Sequence, residues 1–126
     1  MKFHAEHPES TSIIGHGAGW IQLPQNRVES SLILSSEGFL QAWQCNSFDA
    51  LTAEDLQLIA QLARQQDAQV VLFGSGLRNR FPPVQWLRPF AQAQLGLETM
   101  DTAAACRTYN VLTGEGRKVL AALILE

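Results

Sequence analysis

The sequence predicts an α/β domain: a layered fold whose mixed central β-sheet combines a β-meander with a following βαβ unit, with helices packed on the sheet. Three observations carry that expectation. Up to residue 43 the chain alternates strand-like runs with turn residues, the pattern of antiparallel strands. A strand, a helix and a second strand then follow one another over residues 70–100, and such crossovers join parallel strands with one hand in about 98% of cases. Last, residues 118–125 end in Val119-Leu120-Ala121-Ala122-Leu123-Ile124-Leu125, apolar on both faces as the strands at the centre of a sheet are.

Taken in order, residues 1–11 are polar and read as a flexible N-terminal arm, leaving residues 12–126 as a single α/β domain. Trp20-Ile21-Gln22-Leu23 is strand-like, and Pro24-Gln25-Asn26 turns the chain. Residues 28–34 run back and end in Leu32-Ile33-Leu34. Ser35-Ser36-Glu37-Gly38 connects them to a strand over residues 39–43, with Gly38 free to take positive φ. Thr52-Ala53-Glu54-Asp55 opens a helix: the Thr52 hydroxyl can accept the Asp55 amide hydrogen, and the two carboxylates suit the positive end of the helix dipole. Leu56, Ile59, Ala60 and Ala63 share one face of that helix, which fades near Gln66.

Val70-Val71-Leu72-Phe73 is a buried strand broken by Gly74-Ser75-Gly76. Pro82-Pro83 introduces a helix over residues 83–94, in which Pro89 either kinks the rod or starts a new segment. Residues 97–100 form the next strand. Asp101 then caps a helix that runs to about Thr113, with Gly114 as its left-handed terminator.

Bulk properties narrow the function classes. With 126 residues, 46% of them hydrophobic and 17% charged, the chain has the size and composition of one globular domain. Its net charge is −3, and Arg78 with Arg80 is the nearest thing to a basic run, which argues against a nucleic-acid partner. No apolar run approaches the roughly 20 residues of a spanning helix, and the N-terminus lacks the apolar region of a secretory signal. A cytoplasmic protein without membrane insertion is therefore expected. Cys45 and Cys106 stand far apart with no Cys-x-x-Cys spacing, and read as small buried apolar residues.

Three stretches carry a resemblance: Phe73-Gly74-Ser75-Gly76, the run from Leu97 through Asp101 and Arg107 to Asn110, and Gly116-Arg117-Lys118-Val119-Leu120-Ala121-Ala122-Leu123. Together they resemble a family of small conserved hypothetical domains that includes a mitochondrial assembly factor for respiratory complex I and an adipogenesis-associated protein. The resemblance spans roughly residues 12–125, with Trp43 and the helix from Thr52 in the expected order. It implies a layered α/β fold whose mixed sheet includes one antiparallel strand. It brings no agreed catalytic residues, and its mitochondrial member is a non-enzymatic assembly factor. The family's usual Gly-Thr-Gly reads Gly74-Ser75-Gly76 here, which keeps the hydroxyl.

The candidate ligand- or partner-binding residues are Gly74, Ser75, Gly76, Arg78, Arg80 and Asp101. The glycine-flanked loop leaves the carboxyl end of a buried strand, and Asp101 leaves the next parallel strand at the same sheet edge, where open α/β sheets collect ligands. The loop lacks the Gly-Lys-Ser/Thr of a phosphate-binding loop, and the plainer reading of its glycines is a tight turn. Arg107, Asn110 and Arg117, with Glu115 nearby, form a secondary candidate, more simply read as holding a helix to its following turn.

His4 and His7 have metal-like spacing without a third ligand, and His16 sits among glycines, so neither a metal nor a cofactor is expected. Asp49, Glu54 and Asp55 are explained by helix N-terminal charge. Ser75 is not in a nucleophile elbow, and no catalytic residues emerge. The leading reading is a non-enzymatic protein-interaction or assembly-factor module whose partner is another protein. The alternative is a small-molecule or anion-binding protein, with an enzyme included, using the crevice at residues 74–80 and Asp101.

Overall fold

A computed structural model describes residues 2–4 and 8–126. In chain order its elements are β1 (Lys2–His4), β2 (Gly15–Gly17), β3 (Trp20–Gln22), β4 (Arg27–Val28), β5 (Leu32–Ser35), β6 (Phe39–Ala42), α1 (Ala53–Gln65), β7 (Val70–Gly74), α2 (Arg88–Gln92), β8 (Leu97–Met100), α3 (Thr102–Gly114) and β9 (Val119–Leu123). All five side chains of β9 are buried, so both its edges and both its faces need partners. It finds them as the hinge of a six-stranded mixed sheet in the order β1-β6-β5-β9-β7-β8. β5 pairs with it antiparallel, Leu32 opposite Leu123 and Ser35 opposite Leu120. β7 pairs with it parallel, Val70 opposite Val119 and Gly74 opposite Leu123. β8 extends the parallel half beside β7.

The two-residue period of the strands divides the core between the faces. Leu32, Leu34, Leu72, Ala121 and Leu123 face α3 and meet Ala105, Cys106 and Tyr109. Ile33, Val71, Phe73, Leu120 and Ala122 face α1 and meet Leu56, Ile59 and Ala63, with Trp43 and Phe90 completing that layer. Trp43 meets Phe73 edge-on at 6.4 Å between ring centroids. Each buried leucine or isoleucine contributes about 1.5–3 kcal/mol, so these two layers dominate stability.

The expected meander is divided between two sheets. β3 and β4 do not join the large sheet; with β2 they form a separate three-stranded antiparallel sheet in the order β2-β3-β4. The strand expected over residues 28–34 breaks at Glu29 and Ser30, both exposed. Ser31 then re-anchors the chain, its carbonyl accepting the Trp43 amide and its hydroxyl accepting the Leu125 amide. The small sheet lies over the α3 layer, to which it adds Ile21, Leu23 and Val28.

Within residues 1–11 the described residues form a short strand, Lys2–His4, and a 3-10 turn, Pro8–Thr11. Lys2–His4 pair antiparallel with residues 39–41 at the edge of the large sheet. Thr11 is buried: its hydroxyl donates to Ser35 O at 2.7 Å, and its carbonyl accepts the Tyr109 hydroxyl at 2.9 Å. Met1 and residues 5–7, His7 among them, lie outside the described residues.

The helix ends follow their local chemistry. Thr52 and Asp55 form a reciprocal capping box, and Asp55 Oδ1 also accepts the Trp43 indole N–H at 3.0 Å. Pro89 lies in the first turn of α2, after a 3-10 turn over Val84–Leu87, so the helix expected over 83–94 is two short segments. α3 includes Gly114, and the left-handed residue is Gly116, at φ +79°. The Gly116 amide donates to Thr113 O and the Arg117 amide to Leu112 O, the paired bonds of a Schellman end. No helix among the described residues is long and apolar enough to cross a membrane.

Candidate functional site

The loop after β7 is organised from within. A Cβ on Gly74 would stand 2.9 Å from Thr102 Oγ1 and 3.0 Å from Thr102 Cα, so glycine is what lets this strand end against the start of α3. Ser75 is fully buried. Its hydroxyl lies 2.7 Å from Arg78 O and accepts the Arg80 amide at 3.0 Å, closing the loop upon itself. Gly76 takes φ +103°, and its amide donates to Thr102 Oγ1 at 2.9 Å. The same Thr102 hydroxyl donates to Ile124 O at 2.7 Å.

Glu126 completes the arrangement. Its carboxylate accepts the Leu77 amide at 3.1 Å and pairs with Arg80 Nη2 at 3.1 Å. Arg80 also donates to Ser75 O at 3.3 Å and lies 4.8 Å over the Phe48 ring, while its Nε is buried without a hydrogen-bond partner. Of the two loop arginines, then, one is a strut and one is free. Arg78 is exposed and makes no ion pair among the described residues. The outward face is apolar instead, with Leu77 64%, Phe81 68% and Val84 78% exposed.

Behind this loop lies a pocket of about 350 Å³. Buried Ile21, Gly76, Cys106, Ile124 and Leu125 form part of its wall, with His16, Trp20, Leu77, Asp101 and Glu126 nearer solvent. Gly76 and Asp101 of the primary candidates meet here, whereas Gly74, Ser75, Arg78 and Arg80 do not line it. Asp101 Oδ1 accepts the Ala104 amide at 2.9 Å as the cap of α3. Burial pushes the Cys106 thiol up to about 12, so it is a protonated, apolar wall and not a nucleophile at neutral pH. Cys45 is raised to about 11, by burial first and then by the charge of Asp55.

The pocket's other contributors, Glu126 and the β2–β3 hairpin, escape a reading of the sequence. Glu126 acts on residues 46 and 49 positions earlier in the chain, and nothing local marks it. His16 lines the pocket as part of β2.

Of the secondary candidates, Asn110 and Arg117 line a shallower depression of about 590 Å³ with Glu9 and Glu37; Arg107 is exposed elsewhere. Asn110 Nδ2 donates to Ile13 O at 3.0 Å, fastening α3 to the chain before β2. Among the described residues no three His, Cys, Asp or Glu side chains come together as a metal site.

Comparison with known proteins agrees with this architecture. Residues 13–124 match the model of a family described as "Protein of unknown function (DUF498/DUF598)". A mouse protein named NADH dehydrogenase (ubiquinone) 1 alpha subcomplex assembly factor 3 is 29% identical over 120 residues, covering 95% of this chain and 63% of that protein. The cattle protein of the same name is 33% identical over 99 residues, covering 79% and 52% respectively. The chain thus spans between half and two thirds of the length of these curated relatives. The crystal structure of a Bordetella parapertussis protein superposes with a TM-score of 0.81 at 35% identity, covering 91% of this chain and 95% of that one.

Proposed function

Since this chain belongs to the family described as "Protein of unknown function (DUF498/DUF598)", we propose that it is a non-enzymatic protein-interaction module of the assembly-factor kind, and that it meets its partner through the loop from Leu77 to Val84. The names of its curated relatives support an assembly role. The observation that carries the surface is the exposure of Leu77, Phe81 and Val84 on a backbone pinned by Ser75 and by the Arg80–Glu126 pair. A rigid loop that presents apolar side chains loses little entropy on docking, and clustered exposed apolar residues are a feature of interaction surfaces. Arg78 supplies a charge at its edge. An anion-binding role for the loop has less support, because Glu126 already occupies the Leu77 amide and the Arg80 guanidinium.

The test is affinity purification from the native cell with the parent chain and with Phe81→Ser/Val84→Ser, followed by mass spectrometry. Both positions are exposed, so the unfolding free energy is expected to stay within about 0.5 kcal/mol of the parent. A partner recovered by the parent and lost by the variant supports the surface. Recovery of the same partners by both removes it.

A further inference from the structure

We propose that the pocket between α3 and the β2–β3 hairpin receives an apolar side chain of the partner protein, flanked on that partner by lysine or arginine. This inference rests on the interaction-module reading and adds the chemistry of the segment bound. The pocket's volume, about 350 Å³, lies within the usual range for ligand sites, roughly 300–1,000 Å³. Its buried wall of Ile21, Cys106, Ile124 and Leu125 offers an apolar occupant nothing to hydrogen-bond.

The lining itself carries two carboxylates and no lysine or arginine. Its ionisable side chains, other than the Cys106 thiol, are His16, Asp101 and Glu126. The two places where a bound anion would settle are filled by the chain's own carboxylates. Asp101 sits on the amide of Ala104 at the α3 N-terminus, and Glu126 sits on the amide of Leu77. Arg80 offsets Glu126, but no cation among the described residues pairs with Asp101. The mouth therefore repels an anionic ligand and attracts a cationic one, the complementarity that orients protein partners.

Leu77 both lines the pocket and begins the exposed apolar run of the loop. A partner segment lying across that loop would deliver a side chain into the pocket and its basic neighbours to Asp101.

The experiment is an NMR titration of the full chain with acetyl-Lys-Phe-Lys-amide, using acetyl-Glu-Phe-Glu-amide and acetyl-Lys-Ser-Lys-amide as controls. Amide shifts are expected in residues 16–21, 101–106 and 124–126, with both controls bound at least about fivefold more weakly. Asp101→Asn keeps the helix cap, because Asn caps as well as Asp, and should weaken the basic peptide about two- to fivefold. Ala103→Phe, at an exposed lining position in the first turn of α3, should abolish binding by filling the mouth. Ala18→Phe on the hairpin does the same from the other wall should the first variant fold poorly. Absence of binding, equal binding of the acidic peptide, or full affinity in a folded blocking variant overturns the proposal. If Phe81→Ser/Val84→Ser loses its cellular partner while Ala103→Phe keeps it, the module reading stands and the pocket proposal falls.

Discussion

Replacing Thr102 by valine should destabilise the domain far more than the loss of one surface hydroxyl would. Thr102 is 8% exposed, and its Oγ1 joins three elements: it donates to Ile124 O at 2.7 Å and accepts the Gly76 amide at 2.9 Å from the first position of α3. Valine has nearly the same shape, so no cavity opens and the change is one of hydrogen bonding. Two buried backbone groups lose their partner. Each costs about 1–3 kcal/mol when left unsatisfied, and partial relaxation brings the total to about 2–4 kcal/mol. For 126 residues the unfolding entropy makes each kcal/mol worth about 4 °C, so the midpoint of thermal unfolding should fall by roughly 8–16 °C. Urea denaturation of the parent, Thr102→Val and Thr102→Ser checks the reasoning. Serine keeps the hydroxyl and should lie within about 1.5 kcal/mol of the parent, with the same slope against urea in all three. A valine variant within 0.5 kcal/mol of the parent, or a serine variant as unstable as valine, would refute the assignment of a bridging role to the hydroxyl.

Two further outcomes follow from the caps and the thiols. Asp101→Ala should cost about 0.5–2 kcal/mol while Asp101→Asn remains near the parent; an unchanged urea midpoint in the alanine variant would remove Asp101 as a stabilising cap. The folded-state pKa values of Cys45 and Cys106, raised to about 11 and about 12 from 9.0, mean that above pH 9 the unfolded chain releases protons that the folded chain keeps. Stability from these groups is therefore complete below about pH 9 and declines as pH rises toward 12. Cys45→Ala/Cys106→Ala should show a shallower loss between pH 8.5 and 10.5, and superimposable pH profiles would disprove the linkage.

Local chemistry was readable in the sequence and long-range closure was not. Val119–Leu123 announces an interior strand because no polar residue interrupts it, and Thr52 and Asp101 announce helix starts because capping acts over three residues. The α3 terminus misled by two positions, since glycines 114 and 116 both suit a helix end and only the bonds to Leu112 and Thr113 choose between them. Assignment of residues 20–28 to a separate sheet depended on packing over α3, which no period in those residues encodes. The candidate site divided in the same way. The strand pattern places Gly76 and Asp101 at one sheet edge, but the role of Arg80 turns on Glu126, and the pocket on a hairpin some 80 residues from α3.

The placement of β9 also governs how this protein comes into being. β5 with β6 and β7 with β8 can each zip up early, yet these halves share no ladder of their own and meet only across residues 119–123. Until residues 119–123 have been made, a chain emerging from the ribosome therefore carries two unsatisfied inner edges, and unpaired edges invite pairing with other chains. Because joining them closes loops of more than 80 residues on the β5 side, the decisive step of folding is non-local, and such steps are slow. The nascent protein is thus most exposed to misassociation during the interval before β9 is available.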